Sequence, residues 1–248
     1  MEYVKFIPWK GEEYEKGFNG KKLLILGDSH YCATEESKGG KKCDALGKCA
    51  YECMDKDCFS MTNSFLRDEY LPYREDATKY IYYTNEKGEI KKRSTKHLQT
   101  LLNFENNVFN YTPSPSEGID FWKRVIFYNY KQHSQPQSGE ARSTSKEEKE
   151  EYRKAFNEIL EEYQPDCIIV WCKSLFTDDW LPDGADEFPD YTLKVEDKGE
   201  VYDTPVRTFK LKGGKYIRAL ITHHPWRCRG EKCHSKWYAL ITKFLKLE

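Results

Sequence analysis

The stretch that decides the fold is Lys22-Leu23-Leu24-Ile25-Leu26-Gly27-Asp28-Ser29-His30-Tyr31. Leu23 to Leu26 form an unbroken aliphatic run with no polar alternation. That is the pattern of a strand buried on both faces, as in a parallel sheet covered by helices. Gly27 closes the run, and a carboxylate, a hydroxyl, an imidazole and a phenol follow at once. A buried strand that turns abruptly polar predicts an α/β fold with its site at the carboxyl end of the sheet.

Three further runs repeat the pattern. Val125-Ile126-Phe127-Tyr128-Asn129-Tyr130 and Cys167-Ile168-Ile169-Val170-Trp171 read as core strands, and Tyr216 to Thr222 as a fourth that exits into His223-His224-Pro225. Between the second and third lies the clearest helix, Thr144 to Tyr163, with Tyr152, Ala155, Phe156, Ile159 and Leu160 on one stripe and Pro165 after it. Weaker helical patterns run from Phe59 to Tyr73 (ended by Pro72), Thr95 to Phe104, Ser116 to Lys123 and Lys236 to Leu247. Tyr80 to Tyr83 reads as a strand, Tyr191 to Val195 and Val206 to Leu211 as weak ones, and His133 to Ser143 as a loop. The expected architecture is a three-layer α/β sandwich around a central, mostly parallel four-stranded sheet. A chain of 248 residues fits one such domain, 1–248, and residues 33–118 hold a cysteine-rich insertion and a region without clear periodicity.

Parallel strands present their carboxyl ends at one edge, so the residues after each run should converge. These are Gly27-Asp28-Ser29-His30-Tyr31, Asn129-Tyr130, Trp171-Cys172-Lys173-Ser174 and His223-His224-Pro225-Trp226. Their order resembles the uracil-DNA glycosylase superfamily. That family places a Gly-Gln-Asp-Pro-Tyr or Gly-Glu-Ala-Pro-Gly loop after its first strand, a base-reading Asn after the second and a His-Pro-Ser motif after the last. Arg142 to Thr144, the helix behind them, Gln164-Pro165-Asp166 and the strand to Trp171 are similar to the family's layout. The resemblance spans roughly residues 20–32 and 119–245.

It implies hydrolysis of the N-glycosidic bond of a damaged or deaminated base such as uracil. Asp28 would orient water and stabilise an oxocarbenium-like state, while His224 would stabilise the departing base. Asn129 would read the flipped base through its donor and acceptor. Tyr31 would wall the pocket, and Phe59 or Phe127 would stack on the base. His30 is a second acid–base candidate. His223 is expected to pack inside, and Trp122 and Trp171 to belong to the core. Serine-histidine replaces the family's proline at 29–30, Trp226 stands in place of its serine, and Arg227-Cys228-Arg229-Gly230 replaces its intercalating loop.

Two other classes fit the same residues. One is a non-catalytic nucleotide- or nucleic-acid-binding protein of the same fold, suggested by those replacements and by a net charge of −1. The other is a Gly-Asp-Ser-type serine hydrolase with Ser29 as nucleophile. Against it, that class requires an Asp three residues before its late His, and neither His223 nor His224 has one.

Composition bounds the partners. The charge total gives no global attraction to nucleic acid, yet Arg207 to Leu247 carries eleven Lys or Arg against one acidic residue, which suits phosphate contacts. No apolar run is long enough for a membrane span and the start is no signal peptide, so a cytoplasmic monomer is expected. Nine cysteines in a reducing compartment then favour thiols or metal over a disulfide framework. Cys43, Cys49, Cys53 and Cys58 are the candidate structural-zinc ligands, although their spacing only partly matches zinc motifs. Cys32, Cys228, Cys233 and His234 are possible contributors, whereas Cys167 and Cys172 read as small core residues.

Overall fold

The computed structural model describes residues 1–31, 66, 70–76, 82–84, 90–92, 96–132, 134–135, 144–171 and 191–246. Its strands are β1 (Trp9–Lys10), β2 (Leu23–Gly27), β3 (His30–Tyr31), β4 (Tyr82–Thr84), β5 (Ile90–Lys92), β6 (Val125–Asn129), β7 (Ser134–Gln135), β8 (Cys167–Val170), β9 (Tyr191–Asp197), β10 (Glu200–Lys210) and β11 (Tyr216–Ile221). The helices are α1 (Leu71–Glu75), α2 (Lys96–Phe109), α3 (Pro115–Lys123), α4 (Lys146–Tyr163) and α5 (Glu231–Leu245).

The four aliphatic runs form the parallel core, in the order β6-β2-β8-β11. The sheet has seven strands rather than four, ordered β1-β6-β2-β8-β11-β10-β9. β1 adds antiparallel to β6, and the β9–β10 hairpin adds antiparallel to β11. Of these edge strands, β9 and β10 overlap the weak strands expected over Tyr191 to Val195 and Val206 to Leu211, whereas β1 matches no expected strand. β1 has only two residues and shows no hydrophobic period, while β9 buries Leu193 and half-buries Val195 on one face only, which leaves a weak period. β4 and β5 form a separate hairpin.

Alternate core-strand residues face opposite ways and build two cores. Leu23, Ile25, Val125, Phe127 and Ile169 pack with α2, α3 and α5. Leu24, Leu26, Ile126, Tyr128, Ile168 and Val170 pack with the α4 stripe Tyr152, Phe156, Ile159 and Leu160. The layers are therefore helix, sheet, helix.

Local signals set the helix ends. Ser145 and Glu148 make a reciprocal capping box that starts α4, and Gln164 closes it in the left-handed region at φ 46°. Ser114 and Glu117 do the same for α3. Pro72, expected to end a helix, instead sits in the first turn of α1, where its missing N–H has no intrahelical partner to lose. α2 runs five residues past Phe104, and α5 starts five before Lys236. Ser134–Gln135, inside the expected loop, forms β7.

Between α1, α2 and α3 lies a buried polar network. Glu105 is fully buried; it accepts from Tyr70 Oη and from Trp122 Nε1 (2.8 Å) and pairs with Arg74 at 3.2 Å. Gly118 makes room for it, since a Cβ there would meet Glu105 Oε2 at 2.7 Å.

Candidate functional site

The parallel register places the first two motifs side by side. Gly27 pairs with Asn129 at the last position of β2 and β6. The ladder continues past the strands, with Tyr130 N–H donating to Gly27 C=O at 3.0 Å and Lys131 N–H to Asp28 C=O at 2.9 Å. His30 and Tyr31 then pair with Ser134 and Gln135. A Cβ on Gly27 would stand 2.0 Å from Asn129 Oδ1 and 3.2 Å from Phe127 Cζ. Glycine is required here because the Asn129 amide lies directly against its α-carbon.

Asp28 follows. Its Oδ2 accepts from Ser29 Oγ at 2.8 Å and pairs with Lys131 Nζ at 3.2 Å. Its Oδ1 is buried and has no hydrogen-bond partner among the described residues. Buried polar atoms left unbonded are rare, and each calls for an explanation such as strain, a bound water or ion, or a functional role. The carboxylate is thus fixed through one oxygen, leaving the other as acceptor.

An aromatic wall joins this corner to the last motif. Trp171, the residue after β8, has ring centroids of Phe104, Phe127 and His224 at 4.9, 4.8 and 6.2 Å. Its backbone N–H donates to Leu26 C=O at 2.9 Å. Phe127 sits between Trp171 and Trp122 and is only 7% exposed, so it packs in the core below the strand end. In chain order the parallel core runs second, first, third, fourth. The connections leaving β2 and β8 run in opposite directions, to β6 and to β11, and the crevice beyond the ends of these first and third strands is where such sheets bind ligands. Asp28 and Trp171 flank it.

His224 caps the 3-10 turn Pro225–Arg227: its Nδ1 accepts from Trp226 N–H at 3.3 Å. That acceptor role puts the proton of the neutral ring on Nε2. The turn is held from α2, where buried Asn103 Nδ2 donates to Pro225 C=O at 3.1 Å. One helical turn on, Asn107 Oδ1 lies 2.7 Å from His234 Nδ1 and 3.2 Å from Cys228 Sγ. His223 is exposed rather than packed inside, with its ring edge-on to Trp237 at 5.6 Å.

The expected residues thus divide. Gly27, Asp28, Asn129 and His224 lie at one edge, Phe127 is buried beneath it, and Trp171 belongs to the core as expected. For His30 and Tyr31 only the backbone pairing is described. Phe59, Cys43, Cys49, Cys53 and Cys58 lie outside the described residues. Cys228 and Cys233 are joined in a disulfide, where the sequence favours thiols or metal ligands. Their α-carbons, 5.6 Å apart across the turn into α5, are at bonding distance. The described residues, with Cys228 and Cys233 in the disulfide form, contain no group of three or more His, Cys, Asp or Glu side chains arranged for a metal ion.

Lys131, Asn103 and Asn107 are the residues the sequence reading missed. Lys131 carries no signal, being one of many lysines. Asn103, Asn106 and Asn107 do: three asparagines inside an apolar helix oppose helix propensity and ask for a tertiary reason. No protein-family model and no curated protein matches this chain. Among the described residues no helix is long and apolar enough to cross a membrane.

Proposed function

We propose that the carboxyl edge of the sheet binds a nucleobase and that Asp28 directs water to its N-glycosidic bond, in the manner of the uracil-DNA glycosylase superfamily that the motifs resemble. The observation carrying this reading is the Asn129 amide seated on Gly27 beside the Asp28 carboxylate, whose Oδ1 is buried and unbonded among the described residues. An amide offers the donor and acceptor that a base edge requires, and a nearby carboxylate stabilises the positive sugar of the transition state. His224, with its proton on Nε2, supplies a hydrogen bond to the anionic leaving base. Arg227 and Arg229, exposed on the same turn, suit the phosphates flanking that base.

The test is base release from oligonucleotides carrying uracil, hypoxanthine or xanthine, read as strand breaks after alkali. The expected result is abasic sites from the wild type and a rate roughly 100-fold lower or worse for Asp28→Asn. A wild type that forms none, with Asp28→Asn indistinguishable from it, rejects the catalytic reading.

A second reading, nucleotide binding without chemistry, is favoured by one contact. Lys131 neutralises Asp28 and places an ammonium where a phosphate oxygen would be welcome. Saturable binding of a nucleotide without base release would select it. The serine-hydrolase reading is weaker, because the Ser29 hydroxyl donates to its neighbour's carboxylate.

A further inference from the structure

We propose that the reduced chain holds a thiophilic divalent cation, Zn²⁺, between Cys228, Cys233 and His234, with Asn107 Oδ1 facing the fourth position. The argument rests on the donors and their spacing. Two sulfurs, an imidazole nitrogen and an amide oxygen from three elements (the end of the 3-10 turn, the first turn of α5, and α2) meet at one point. Cys228 Sγ and His234 Nδ1 are 3.6 Å apart. A sulfur at ~2.3 Å and a nitrogen at ~2.05 Å from one tetrahedral ion stand ~3.6 Å from each other. That one pair matches as it stands; Asn107 Oδ1, 2.7 Å from His234 Nδ1 and 3.2 Å from Cys228 Sγ, has to draw back to the ~3.4–3.6 Å that ligands of one tetrahedral ion keep.

Cys233 comes from the same short turn, its α-carbon 5.6 Å from that of Cys228. Two thiolates on one zinc ion need their sulfurs only ~3.8 Å apart, a spacing that side-chain rotation over this α-carbon separation can supply. Asn107 is nearly fully buried, and its Oδ1 already contacts both Cys228 Sγ and His234 Nδ1.

The disulfide and the metal are alternative occupants of the same sulfurs. Reduction by a dithiol adds two electrons and two protons to the S–S bond and oxidises the donor to its own disulfide. The two thiols then release their protons as the ion binds. Either occupant ties the start of α5 to the turn carrying His224, but only the ion also draws in Asn107. Because Asn103, one turn earlier on α2, already holds Pro225, the ion would anchor the His224 turn to α2 at two successive levels. This site does not depend on the glycosylase reading.

The experiment adds Co²⁺ to protein reduced with a phosphine, in a background where Cys43, Cys49, Cys53 and Cys58 are changed to Ser. The expected result is about one equivalent bound, with thiolate-to-cobalt charge-transfer absorption and strong visible bands of tetrahedral geometry. Cys233→Ser should abolish that uptake, His234→Ala should weaken it and shift the visible bands, and the unreduced chain should take up none there. If the four-serine chain does not fold, the same comparison is made in the wild type, where Cys233→Ser should lose about one equivalent. Uptake that is absent, or unchanged by both Cys233→Ser and His234→Ala, overturns the proposal.

Discussion

The amide oxygen of Asn129 lies 2.0 Å from the point a Cβ on Gly27 would occupy. The last residues of two neighbouring parallel strands are therefore one unit: the glycine exists so that the asparagine can lie flat across it. Gly27→Ala should displace the Asn129 side chain, weaken base binding and cost about 1–3 kcal/mol of stability as overpacking. Gly27→Ala combined with Asn129→Ala should recover most of that stability but not the binding. A double-mutant cycle on urea midpoints, with oligonucleotide titrations alongside, separates the two effects, and additive stability losses would break the claimed contact.

Lys131 and Asp28 are both mostly buried, so removing one partner strands the other's charge. Lys131→Met is expected to destabilise by about 1–3 kcal/mol, and adding Asp28→Asn to it to restore part of the loss. Midpoints of denaturant unfolding for the single and double variants check this. If the double variant is as unstable as the sum, the pair is not coupled.

Glu105 offers a pH test. Burial raises its carboxyl above the ordinary 4.5, against the lowering effects of Tyr70, Arg74 and Trp122. A raised native value means that the folded state holds the proton more tightly than the unfolded one. The stability of the wild type relative to Glu105→Gln should be greatest below 4.5 and decline as pH rises through the native value. Unfolding midpoints of both proteins across that range give the answer, and a difference flat with pH contradicts it. Glu105→Ala should cost about 3–5 kcal/mol, because Arg74 is left buried without its partner.

Asn103→Leu removes the donor to the Pro225 carbonyl from a buried position. A loss of about 1–3 kcal/mol is expected. Hydrogen exchange should also quicken at the amides of Trp226, Arg227 and Cys228, which belong to the turn that Asn103 braces. Unchanged protection there would show that the turn stands without α2.

Cys167 is enclosed at the start of β8, where burial pushes its thiol up to about 12. It should resist alkylation by iodoacetamide in the native state and react only on unfolding, as read by mass spectrometry of its peptide. Native labelling at a rate near that of an exposed thiol would be incompatible with this burial.

What the sequence determined by itself was the set of core strands and the edge at which their polar residues gather. Leu23–Leu26, Val125–Tyr128 and Cys167–Val170 bury both faces, and that requirement writes an unbroken apolar run into the chain, whereas Tyr216–Ile221, exposed at Tyr216 and half-buried at Arg218, buries both faces only from Ala219 on. The α4 stripe was legible for the same reason, since one packed face imposes a helical period. Strand order and two-residue β1 leave no such trace, because their hydrogen bonds are made by backbone atoms common to every residue, and the half-buried β9–β10 hairpin leaves only a weak one. The tertiary structure alone decided which side chains meet across distance: Lys131 on Asp28, Asn103 on Pro225, Asn107 on His234 and Cys228, Arg74 on Glu105. A lysine or asparagine reads the same in a solvated loop as in a pocket, and only the register of β2 with β6 and the docking of α2 on the His224 turn tell them apart. The Gly27–Asn129 contact belongs to both accounts. Each residue was visible at the end of its own strand, and the parallel pairing made them one site.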